Sequence, residues 1–264
     1  MNKVLTIVQA RMASTRLPGK VLMPLGGKTL LEVMLERLRR SALCGTIVVA
    51  TTEEMQDDVI VSLCKTSDCL YFRGDSYDLL DRHYRAAMHF EADIVVKIPS
   101  DCPLIDFRIV DAVLEYFLAN SFDYVSNLHP ASFPDGNDVE VMSMHALRKA
   151  WLKAERDFER EHTTPYMWEH PDKFSIGNYL WPESRNLSMS HRFTIDYPED
   201  YAFINAVYEE LYHSDPGFSL YNILELLEAK PEIYAINQHY SGVNWYRNHL
   251  GDLKTIDHTQ TKMI

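Results

Sequence analysis

Val4-Leu-Thr-Ile-Val-Gln9-Ala-Arg11-Met-Ala-Ser14-Thr-Arg16-Leu-Pro18-Gly19-Lys20-Val-Leu22 is the stretch that decides how the chain is read. Its apolar opening, with Val4, Leu5, Ile7 and Val8, reads as a buried first strand, and Ser14, Thr15, Pro18 and Gly19 mark the loop into which that strand empties. Arg11, Arg16 and Lys20 stand five and four residues apart. A loop curling around an anion aims three such cations, with its backbone N–H groups, at one polyphosphate. A solvated basic loop has the same spacing, so charge alone leaves both readings open.

Outward from this loop the chain alternates strand and helix. Leu30, Leu31, Val33, Met34, Leu35 and Leu38 recur with helical spacing, Ile47-Val-Val-Ala50 is a second buried strand, and residues 57–65 form a second helix. That rhythm predicts a parallel sheet. Gly27-Lys28-Thr29 mimics the end of a P-loop, but that motif needs a glycine five places before Gly27, where Leu22 stands. Residues 92–98 make the best central strand, and it ends at Pro99-Ser-Asp101-Cys-Pro103. A carboxylate at the carboxyl edge of an open α/β sheet lies where such sheets bind ligands, and Asp101 suits Mg²⁺, which takes one or two carboxylates with phosphate oxygens and water. Asp101 as a helix cap is the competing account, although the next helix starts more naturally at Asp106. Asp138-Val-Glu140-Val-Met142 alternates polar and apolar residues, as an antiparallel or edge strand does; residues 174–180 read as another strand and Arg192-Phe-Thr-Ile-Asp196 as the last.

Composition sets limits. With 264 residues, 46% hydrophobic and 24% charged, the chain can bury a sizeable core, and its formal net charge of -12 argues against a general nucleic-acid partner. No run of 18 apolar residues is present, so no membrane partner is expected, and a cytoplasmic location is the default reading. Cys44, Cys64, Cys69 and Cys102 form no CxxC pair, and His162, His170 and His191 lack a spacing for a metal cage.

The wording of the first loop, Ala10-Arg-Met-Ala-Ser-Thr-Arg-Leu-Pro-Gly-Lys20, resembles the nucleotide-binding signature of the cytidylyltransferases that activate 3-deoxy sugar acids, the CMP-KDO and CMP-sialate synthetases. It is still more similar to the spore-coat polysaccharide biosynthesis protein F family, with Ala13 standing where many relatives carry Gly. Further blocks carry the likeness: Arg73-Gly74 with Leu80-Asp-Arg82, Gly136-Asn-Asp138-Val-Glu140-Val, Arg160-Glu-His162-Thr-Thr-Pro-Tyr166, and Asp196-Tyr-Pro-Glu-Asp200. Each also has a plain structural reading: a surface ion pair, strand amphipathicity, a solvated helix start and a helix cap. The resemblance fades near Ile236 and implies a three-layer α/β/α, Rossmann-like nucleotide-diphospho-sugar transferase fold, mostly parallel with an antiparallel insertion. On this reading residues 1–236 form one domain, residues 130–190 being an insertion for the acceptor or a dimer contact, and residues 237–264 are an extension that serves as a docking tail or subunit contact.

The resemblance also implies roles. Arg11, Arg16 and Lys20 hold the triphosphate, while Ala10, Ser14 and Thr15 of the loop, with Arg73 and Arg82, lie at the nucleotide, most naturally CTP. Asp101 and Asp196 bind Mg²⁺ and, with Arg11 and Lys20, are the catalytic set. Asp138, Glu140, Arg160 and His162 face a sugar or sugar-acid acceptor, Arg160 and His162 as a grip for its carboxylate or phosphate. The expected reaction is nucleotidyl transfer with release of pyrophosphate by a homodimeric enzyme of polysaccharide synthesis. Two rivals stay open: a glycosyltransferase consuming a nucleotide sugar, and a non-catalytic nucleotide-binding assembly protein.

Overall fold

A computed structural model of the chain describes residues 2–182 and 184–264. The strands are β1 (Val4–Gln9), β2 (Pro24–Leu25), β3 (Lys28–Thr29), β4 (Thr46–Thr52), β5 (Leu70–Gly74), β6 (Ile94–Pro99), β7 (Tyr124–Ser126), β8 (Glu140–Ser143) and β9 (Ile176–Asn178). The helices are α1 (Leu30–Leu38), α2 (Asp58–Thr66), α3 (Leu79–His89), α4 (Phe107–Leu118), α5 (Met144–Lys153), α6 (Asp157–His162), α7 (Pro165–Trp168), α8 (Pro198–Leu211), α9 (Leu220–Ala229) and α10 (Pro231–Ala235). Seven strands make one sheet in the order β5-β4-β1-β6-β8-β7-β9, and β2 and β3 form a small antiparallel pair. β1 runs parallel to β4 and β6, β4 to β5, and β7 to β9; β8 alone is antiparallel to its neighbours β6 and β7.

Period-two alternation places two cores on the two faces of this sheet. Val8, Val49, Val96 and Val141 pack with apolar residues of α1, α4, α8 and α9, while Ile7, Val48, Val95 and Met142 pack with those of α3 and α5. Local signals set the helix starts. Thr29 and Glu32 form a reciprocal capping box on α1. Asp106 caps α4 by accepting from the Arg108 N–H, which leaves Asp101 for other contacts.

Of the two readings of the 138–142 segment, β8 takes the antiparallel one, at an interior place in the sheet. One expectation changes. Arg192–Asp196 is not a strand: it makes one isolated bridge, from Arg192 to Asp135, and Phe193 donates to the Asp135 carbonyl, Ile195 to that of Asp101 and Asp196 to the Asp200 carboxylate of α8. The last strand is β9, inside the expected 174–180 segment. Residues 237–264 fold back on the body. Glu169 accepts from the Lys254 and Thr255 N–H groups, and Arg192 donates to the Val243 carbonyl. Among the described residues no helix is long and apolar enough to cross a membrane.

Candidate active site

β1 delivers the first loop to the carboxyl edge of the sheet. The loop is held from within, the Ser14 and Gly19 N–H groups both donating to the Met12 carbonyl at 2.9 Å, and from outside, the Met12 N–H donating to Asp57 Oδ1 at 2.7 Å. Gly19 turns the chain with φ +72°, a left-handed conformation that favours glycine. The loop, the end of β6 and the 194–196 segment enclose a cleft of about 730 Å³.

Lys20 lies at its centre. Its ammonium is 2.9 Å from Asp101 Oδ2 and 3.0 Å from Asp196 Oδ1, and it also donates to the Ile195 carbonyl. Burial alone pulls the lysine pKa down, but attraction to Asp101 and Asp196 outweighs it and the net shift is upward. Asp196 gathers two further cations, Arg16 at 2.6 Å and the buried Arg192 at 3.0 Å. Burial raises its pKa, yet Lys20, Arg16 and Arg192 together hold it down at about 2. Both acids thus converge on one cation, the Lys20 ammonium. Two carboxylates completed by phosphate oxygens and water are the donor set that Mg²⁺ takes, so the residues fit the metal that the family implies. Among the described residues no group of three or more His, Cys, Asp or Glu side chains is placed to hold a metal.

Ala10, Arg11, Ser14, Thr15, Arg82, Asp138, Glu140 and His162 also line this cleft. Arg82 is only 3% exposed, its Nε lacks a hydrogen-bond partner, and burial first, then the neighbouring charge of Arg11, pushes its pKa down to about 10. Two close guanidiniums, one with an unused buried N–H, form a position that an anion would satisfy.

Two expected site residues stand apart from it. Arg73 points from β5 to the Thr52 and Glu54 carbonyls and to Asp58 at 2.6 Å, because the β4–β5 register holds it at the far side of that turn. Arg160 turns from α6 to Asp78 at 2.6 Å and to the Trp151 and Ala154 carbonyls, so it does not join His162 in an anion grip. His162 itself stacks on Trp245, ring centroids 3.8 Å apart, and burial pushes its pKa down to about 3.

Other residues of the cleft carry weaker signals in the sequence. Lys97 pairs with Glu140 directly across the β6–β8 ladder, and Glu140 also accepts from the Tyr124 hydroxyl at 2.6 Å. A lysine inside the apolar run Ile94-Val-Val-Lys97-Ile98 was the available signal, since lysine is almost never buried without a partner. Gln9, whose buried Oε1 lacks a partner, carries no such sign, and of residues 242–249 only Trp245 and Tyr246 stand out, as anchors of a polar stretch.

A family model described as cytidylyltransferase matches residues 5–226. An uncharacterized protein of Methanocaldococcus jannaschii is 39% identical over 240 residues, covering 89% of this chain and 94% of that protein. The spore coat polysaccharide biosynthesis protein SpsF of Bacillus subtilis is 32% identical over 237 residues, with coverage of 88% and 97%. The solved structure of a cytidylyltransferase from Leptospira borgpetersenii is 36% identical, with a TM-score of 0.84 and coverage of 89% and 97%. The chain belongs to the cytidylyltransferase family and is a nucleotidyltransferase.

Proposed function

We propose that this enzyme transfers the CMP portion of CTP to a hydroxyl of a sugar or sugar acid, releasing pyrophosphate, in the synthesis of a surface polysaccharide or glycoconjugate. The observation that carries this reading is the meeting of Lys20 with Asp101 and Asp196 at the edge of β1 and β6. Cations for a triphosphate and carboxylates for its counterion are assembled at one point. The relative named for spore coat polysaccharide supports the pathway class.

In the reaction an acceptor oxygen bonds to the α-phosphorus, the bond from that phosphorus to the bridging oxygen breaks, and pyrophosphate leaves with the electron pair. Lys20, Arg16 and Arg11 bind the triphosphate and offset the charge that grows on the leaving group. Arg82 extends that positive wall, while Ala10, Ser14 and Thr15 bring backbone and hydroxyl groups to the nucleotide. Asp101 and Asp196 would hold Mg²⁺, which would supply charge neutralisation at the phosphates. Asp138, Glu140 and His162 lie at the acceptor. A panel of CTP, UTP, GTP and ATP, scored by pyrophosphate release with sugars and sugar acids, tests this: turnover should fall sharply away from CTP. Equal rates with all four nucleotides would remove the cytosine assignment, and consumption of a nucleotide sugar without pyrophosphate would favour a glycosyltransferase.

A further inference from the structure

Helix α2 ends in a motif that brings two thiols together. Ser67 is its C-cap, Asp68 follows in the left-handed region with φ +48°, and the Cys69 N–H donates back to the Cys64 carbonyl at 2.8 Å. That reversed bond is the signature of a Schellman motif, in which the side chain just past the turn packs on one from the last helical turn. The contact is commonly an apolar pair. Here it holds Cys64 and Cys69, and the Cys64 S–H donates to the Cys69 sulfur. Neighbouring side chains that point at each other are what a disulfide needs.

The two sulfurs differ in surroundings. Cys64 is fully buried, whereas Cys69 is partly exposed and opens, with Arg39, Ser41 and Asp68, onto a surface hollow beside the start of β5. Arg39 donates to the Ser67 carbonyl at 2.9 Å and to the Asp68 carbonyl at 3.5 Å, which holds its guanidinium near Cys69. The hydrogen bond from Cys64 and the charge of Arg39 outweigh burial and draw the Cys69 pKa down, while that same bond and burial push Cys64 up. The proton thus stays on the inner sulfur and the outer one carries thiolate character. Cys44 and Cys102 are placed otherwise. Both are buried, which raises their pKa, and the Cys44 thiol donates to the Leu38 carbonyl at 3.4 Å.

We propose that Cys64 and Cys69 are a reversible thiol–disulfide site, oxidised by hydroperoxides, with Cys69 the thiol attacked first and Cys64 its resolving partner. The Cys69 thiolate attacks one peroxide oxygen, the O–O bond breaks, hydroxide leaves and Cys69 becomes a sulfenic acid. The Cys64 sulfur then bonds to the Cys69 sulfur, the S–O bond breaks, and hydroxide departs with the Cys64 proton as water. Two thiols are oxidised to one disulfide and, counting the proton already lost from Cys69, one hydrogen peroxide is reduced to two waters. A resolving thiol in contact keeps Cys69 from the irreversible sulfinic step. The site precedes β5, at the amino edge of the parallel strands and opposite the cleft, so it is independent of the nucleotidyl-transfer reading.

The test treats the full, reduced chain with hydrogen peroxide, blocks the remaining thiols with iodoacetamide and digests the protein without reductant for mass spectrometry. Trypsin cuts after Lys65, between the two cysteines, so the disulfide holds peptides 41–65 and 66–73 together until dithiothreitol parts them. This linked pair should be the main product, formed about tenfold faster than Cys102 is lost. Sulfinic acid at Cys69 beside an alkylated Cys64 overturns the proposal, and so does oxidation of Cys69 no faster than that of Cys102. Cys44 shares a peptide with Cys64, and fragmentation separates the two; a link through Cys44 also overturns it. Cys64→Ala should show no link and should accumulate sulfinic acid at Cys69, whereas a Cys69 that stays reduced there contradicts its part as the attacked thiol. Should the buried Cys64→Ala fail to fold, Cys69→Ala changes the partly exposed partner instead. Cys64 should then stay reduced, and its oxidation at the wild-type rate overturns the order of attack.

Discussion

Replacing Lys20 with methionine keeps the length of the side chain and removes its charge. The lysine side chain is 11% exposed and lies 2.9 Å from Asp101 and 3.0 Å from Asp196. Removing one partner of a buried ion pair typically costs about 3–5 kcal/mol. Two features lower that figure here: the Asp101 side chain is 27% exposed to water, and Asp196 keeps Arg16 and Arg192. The expected loss of stability is therefore about 2 kcal/mol, a fall in Tm of about 4–8 °C for a chain of this size. The catalytic loss should be larger, about 100- to 1000-fold in kcat/KM for CTP, the usual effect of deleting a charge-stabilising contact in the transition state. Thermal unfolding by circular dichroism measures the first quantity, and steady-state pyrophosphate release the second. Calorimetry with CTP and with cytidine adds a control, since only the triphosphate should bind more weakly. A lowered Tm with kcat/KM within tenfold of wild type, or equal weakening of CTP and cytidine, would refute the phosphate role and leave Lys20 as a structural ion pair.

Arg73→Ala should leave kcat/KM for CTP within about twofold, because Arg73 spends its guanidinium on Asp58 and two carbonyls outside the cleft; a tenfold loss in the steady-state assay would return it to the site. His83 is fully buried, its Nδ1 paired with the Leu79 carbonyl at 2.8 Å, and burial holds its pKa at about 3. The unfolded chain takes up a proton near pH 6.5 and the folded chain does not, so this contribution to stability is present above pH 6.5 and lost as pH falls. About 2 kcal/mol disappears between pH 7.5 and pH 5. The stability difference between wild type and His83→Leu, measured by urea unfolding, should shift by that amount between the two pH values, and a constant difference would contradict a buried neutral imidazole.

The parts of the site that local sequence could reveal are those placed by strand ends. β1 and β6 are short apolar runs closed by turn residues, so Lys20 and Asp101 are readable from the sequence as neighbours of one sheet edge. Arg73 and Arg160 are not, because the direction of a long side chain depends on partners brought by other elements, Asp58 for one and Asp78 for the other. Arg192–Asp196 has the apolar alternation of a strand, yet tertiary hydrogen bonds to residues 101 and 135 claim its backbone. The wall of the cleft formed by residues 242–249 is least visible. Trp245 and Tyr246 stand in a polar stretch with no periodicity, and only contact with His162, Trp168 and His129 gives them a place.

Arg192 has no exposed side-chain surface and holds four partners from different parts of the chain: Asp196 beside Lys20, Asp135 of the loop before β8, Asp200 at the start of α8 and the Val243 carbonyl of the C-terminal segment. One rigid guanidinium therefore shares its five N–H donors among three carboxylates and a carbonyl. A change in the grip on one carboxylate is felt at the others, so substitutions of Asp135, Asp196 and Asp200 should not add. On the proposed reading of the cleft that coupling is reciprocal: whatever factor an acceptor contributes to CTP affinity, CTP returns to the acceptor.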